Sequence, residues 1–80
     1  MPEVRVCSLA QMTIGEGGIV VEVVGGRGLV SRLDALGIRP GKRITKISSE
    51  LMRGPVIVQV DRTEIAIGFG MAKSIVVRLD

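Results

Sequence analysis

The residues able to do chemistry in this 80-residue chain are few, and their types narrow its role. There is no histidine, tryptophan or tyrosine, and there is one phenylalanine. Without histidine the chain lacks the usual general base near neutral pH and the usual imidazole ligand for zinc or copper. The carboxylates Glu3, Glu16, Glu22, Asp34, Glu50, Asp61, Glu64 and Asp80 are spread along the chain without ligand spacing. Cys7 is the only cysteine, so no internal disulfide forms, and a lone cysteine reads as a small buried hydrophobe. Gly25-Gly26-Arg27-Gly28 has the glycine content of a phosphate loop. It lacks the G-x-x-x-x-G-K-[ST] spacing, and no G-x-G-x-x-G occurs, so it reads as a tight turn between a strand and a helix. No catalytic set, cofactor site or metal site is expected. What remains is a small aliphatic domain that binds something, in first place another protein.

Charge gives a second class of reading. Eleven Lys+Arg against eight Asp+Glu leave a net charge of +3. The densest basic stretch holds Arg39, Lys42, Arg43 and Lys46, and it is expected to be a solvated face. The alternative is a small basic barrel that binds nucleic acid through those four residues. The near absence of aromatic stacking platforms speaks against that partner. Leu51-Met52-Arg53 puts apolar residues in a loop beside an arginine, which suits either a loop folded over the end of the barrel or a partner contact. The N-terminus lacks a basic stretch followed by an apolar one, and no run approaches the ~20 apolar residues of a membrane span. A cytoplasmic chain without membrane insertion is expected, and a reduced Cys7 fits that compartment.

The elements that must position these residues are short. Ser8 to Met12 is consistent with one helical turn capped by Ser8. Ile19 to Val24 is β-branched and reads as a strand, with Ile19, Val21 and Val23 inward and Val20, Glu22 and Val24 outward. The period then changes. Leu29, Leu33 and Leu36 lie at i, i+4 and i+7, the core stripe of a short helix whose outward side carries Ser31, Arg32 and Asp34. Gly37 stands where a left-handed cap residue is wanted, and Ile38 can fold back on Leu33. Arg39-Pro40-Gly41 has the pattern of a type II turn. Ile44 and Ile47 are three apart in the next strand, which predicts a bulge or a sharp bend. Val56–Val60 and Glu64–Ile67 form a hairpin about Asp61-Arg62-Thr63, and a glycine-flanked connection from Gly68 to Ser74 leads to a last strand, Ile75–Leu79. The sum is a mainly β domain spanning residues 1–80, about five strands and one short central helix, most easily closed as a small barrel.

One stretch carries a resemblance. Arg32-Leu33-Asp34-Ala35-Leu36-Gly37-Ile38-Arg39-Pro40-Gly41 matches the R-L-x-x-L-G-I-x-x-G string of the ferrous-iron transport protein A (FeoA) family, and Ala72 followed by Ile75-Val76-Val77 matches its closing pattern. The chain resembles that family from about Ser8 to Leu79. The resemblance implies an SH3-like barrel in the bacterial cytosol, not an enzyme, that docks on a membrane ferrous iron permease with a cytosolic GTPase domain and modulates it. It implies that iron and nucleotide both belong to the partner. Candidate partner-binding residues are Arg27, Arg32 and Arg39 beside the helix and Leu51, Met52 and Arg53 in the loop. Self-association is a further expectation, because Val20–Val24 and the Leu51 loop are poor in polar residues. A similar fold closes metal-dependent repressors, so a regulatory SH3-like module is the alternative within this resemblance.

Overall fold

The structure is a computed structural model that describes residues 4–50 and 54–80. Six strands, β1 (Val6–Ser8), β2 (Gly17–Val23), β3 (Arg43–Ser49), β4 (Val56–Val60), β5 (Thr63–Ile67) and β6 (Ile75–Leu79), form one antiparallel sheet in the order β1-β6-β2-β3-β4-β5. A 3-10 turn over Leu9–Gln11 follows β1, the helix α1 (Arg27–Ala35) joins β2 to β3, and a four-residue helix α2 (Phe69–Ala72) joins β5 to β6. The strand β1 adds one to the five expected. It has three residues and its Val6 is exposed, so no alternation announces it; pairing of Val6, Cys7 and Ser8 with Arg78, Val77 and Val76 makes it a strand.

Two bulges bend the sheet around its core. In β2 the register with β6 shifts between Val20 and Glu22, and in β3 the register with β4 shifts between Lys46 and Ser48. An extra residue reverses the in-out alternation beyond it. The β3 bulge was legible from the spacing of Ile44 and Ile47; the β2 bulge was not. Ahead of the β2 bulge the phase is the reverse of the expected alternation, with Val20 buried and Val21 exposed, and beyond it Val23 returns to the core side. Leu9, Leu33, Ile38, Ile44, Val58, Ile67, Ile75 and Val77 are fully enclosed at the centre.

The helix keeps its expected cap. Gly37 has φ 88°, its N–H donates to Asp34 O at 2.9 Å, and Ile38 N–H donates to Leu33 O at 2.9 Å. These two bonds are the Schellman pair, and they satisfy carbonyls that the helix end would otherwise leave open. Ile38 and Leu33 then share the core. Leu36, expected on the core stripe, is 41% exposed instead, because the helix ends at Ala35 and the chain turns before Leu36 reaches the sheet. The type II turn also forms: Gly41 has φ 94° and Lys42 N–H donates to Arg39 O at 3.1 Å.

Candidate functional site

The outward side of α1 and the turn that follows it enclose a cleft of about 240 Å³. Arg27, Val30, Ser31 and Asp34 reach it from the helix. Their spacing, i, i+3, i+4, i+7, makes them one longitudinal stripe, offset from the Leu29–Leu33 stripe that faces the core. Ile38, Arg39 and Pro40 after the helix and Val23 of β2 complete the lining. The Schellman cap sets this geometry, since it reverses the chain at Gly37 and brings Arg39 back over the helix. There the Arg39 guanidinium meets Asp34 Oδ1 at 3.4 Å, an exposed ion pair. Val30 stays 38% exposed and neighbouring Val24 52% exposed, so the apolar floor continues beyond the cleft.

Of the six candidate partner-binding residues, Arg27 and Arg39 line this cleft. Arg32 is exposed in the last turn of α1, where a cation complements the helix dipole, and it lies outside the cleft. Leu51, Met52 and Arg53 lie outside the described residues. Val30 escaped the sequence reading, which assigned the helix one apolar stripe; a β-branched residue one position off that stripe was the available signal.

The basic run does not form one patch. Arg39 pairs with Asp34, Lys42 with Asp61, and Arg43 with both oxygens of Asp80 at 2.7 and 3.0 Å. Lys46 is buried, at 4% exposure. Its ammonium donates to the carbonyls of Met12 at 2.7 Å, Ala10 at 3.3 Å and Leu9 at 3.4 Å, pinning the end of the 3-10 turn to β3. Burial lowers its pKa from the usual lysine range, against the opposing pull of Cys7 and Glu16. The four cations of the nucleic-acid alternative are thus three paired side chains and one structural tie. A second cleft of about 230 Å³, beside Arg43, Thr45, Gln59, Asp61 and Arg62, mixes both signs of charge. Among the described residues no three Cys, Asp or Glu side chains gather as a metal-binding group. Burial raises the pKa of Cys7, reinforced by Glu16. None of the helices among the described residues is long and apolar enough to cross a membrane.

A small antiparallel sheet bent around one core, with a short helix between its second and third strands, is the SH3-like class of fold. Residues 7–79 match the FeoA domain family, and the chain belongs to that family. The crystal structure of an iron uptake regulatory protein, FeoA, is 37% identical and superposes with a TM-score of 0.89, covering 95% of this chain and all of the other. A protein of Methanocaldococcus jannaschii, provisionally named Fe(2+) transport protein A, is 38% identical over 63 residues, 79% of this chain and 74% of that protein. The zinc complex of Stenotrophomonas maltophilia FeoA, described as an SH3 domain protein, is 25% identical with a TM-score of 0.73, covering 91% of this chain and 88% of that one. A manganese-dependent transcriptional repressor superposes at 0.88 with 18% identity over 45% of its own length, which is a likeness of fold alone.

Proposed function

We propose that this chain is a cytoplasmic, non-enzymatic accessory of ferrous iron uptake that docks on the iron permease, which carries a cytosolic GTPase domain, and biases the permease's conformation. The observation that carries the docking face is the α1 cleft. It combines an apolar floor, arginines on its rim and exposed valines around it, a composition that suits a protein contact. The kinship with proteins named for Fe(2+) transport supplies the pathway. A partner that binds one conformation of the permease better than another shifts its equilibrium without supplying chemistry of its own. The iron is cargo in this account and passes through the permease.

The test is a titration of the fluorescently labelled chain with detergent-solubilised permease. Saturable binding that Val30→Asp weakens is the expected result. Absence of binding in every nucleotide state of the permease would contradict the docking reading.

A further inference from the structure

We propose that the α1 cleft receives one large apolar side chain of the partner together with an adjacent carboxylate, and that Arg27 reads the carboxylate. The inference rests on the docking reading and specifies the chemistry of the docked segment.

Size and lining suit a single side chain. The cleft is about 240 Å³. Small-molecule and cofactor pockets occupy roughly 300–1,000 Å³. A leucine, methionine or phenylalanine side chain fills a volume of the cleft's size, as buried anchors do at protein interfaces. The apolar lining of Val23, Val30, Ile38 and Pro40 suits such an anchor.

Charge selects what stands beside the anchor. The cleft holds one carboxylate, Asp34, and Arg39 already engages it. Arg27 makes no ion pair among the described residues, so the uncompensated charge on the rim is positive. Arg27 also stands against local preference. It is the first residue of α1, beside a Gly26 cap that offers no side-chain bond, and no acidic residue occupies the first turn. A cation at that end opposes the helix dipole, where Asp or Glu would stabilise it. The fold therefore gains nothing from the charge of Arg27. Positions that break local rules concentrate at functional sites.

Titration against detergent-solubilised permease, with urea unfolding of each variant alongside, tests the assignment. Arg27→Glu is expected to weaken binding about three- to tenfold, with an unfolding midpoint equal to or above that of wild type. Arg27→Lys retains most of the affinity. Raising salt weakens the wild type and moves Arg27→Gln less. Val30→Asp weakens binding by about tenfold or more while remaining folded. Wild-type binding matched by Arg27→Glu and Val30→Asp would overturn the inference and leave docking through another face standing. No wild-type binding would overturn both. A self-associated chain in sedimentation that Val30→Asp disperses would make the occupant a second copy and also overturn it.

Discussion

At Lys46 an ammonium sits among three carbonyls, at the boundary between β3 and the 3-10 turn. In the sequence it was one of four cations in a basic run, and nothing in its type or spacing marked it as buried. Its role depends on the fold bringing residues 34–37 positions apart into contact. Lys46→Met removes the cost of burying a charge but leaves the carbonyls of Ala10 and Met12 without their donor. Orphaned acceptors weigh more, so the variant is expected to lose about 1–3 kcal/mol, read as a lower urea midpoint. Two groups nearby give pH dependences of opposite sign. The folded chain releases the Lys46 proton below the usual range, so the unfolded chain binds more protons up to about pH 10.4 and Lys46 adds stability as pH rises there. The Cys7 thiol is raised, so the unfolded chain ionises first and stability falls as pH rises through about 8.5. The stability difference between Cys7→Ala and wild type is therefore expected to be flat up to about pH 8 and to move in favour of the variant by pH 10. A shift in favour of wild type would contradict it.

At the scale of the elements, the sequence was most readable where a local signal and a tertiary need coincide. Leu33, Gly37, Ile38 and the Arg39-Pro40-Gly41 turn have periods and backbone requirements that few other arrangements satisfy. The β3 bulge was readable for the same reason. The phase of β2 was not, because its bulge falls in a run of valines where either face looks apolar. Gly18 lies before the strand expected over Ile19–Val24, and nothing in its type marked it as paired. In the structure it lies in β2 where a Cβ would come within 2.2 Å of Arg78 O, so β2 and β6 meet closely there. Gly18→Ala must displace backbone and is expected to cost about 1–3 kcal/mol. Gly37→Ala keeps the room but strains the left-handed cap, by about 1–2 kcal/mol. Leu33→Ala empties the core side of α1 and is expected to cost about 2–5 kcal/mol. Far-UV circular dichroism in urea orders the three; a Gly18→Ala midpoint equal to wild type would contradict the close β2–β6 approach.

For the whole molecule, the class of fold and its family were legible because the helix, its cap and the closing strand recur in one order. The site was half legible. The outward residues Ser31 and Asp34 were named from the helix period and Arg27 and Arg39 as candidate contacts beside the helix, while Val30, Ile38 and Pro40 join them only once the cap has turned the chain back over α1. The composition also takes on a clearer meaning at this scale. A chain without histidine can serve a metal pathway when its contribution is a docking face. The central claim is that this face acts on iron uptake. It is tested most directly by measuring Fe²⁺ uptake at low iron in cells that lack this protein, restored with wild type or with Val30→Asp. The account predicts uptake lowered by the deletion, restored by wild type and not restored by a Val30→Asp chain present at the same level. Uptake unchanged by the deletion, or restored equally by both chains, would contradict it.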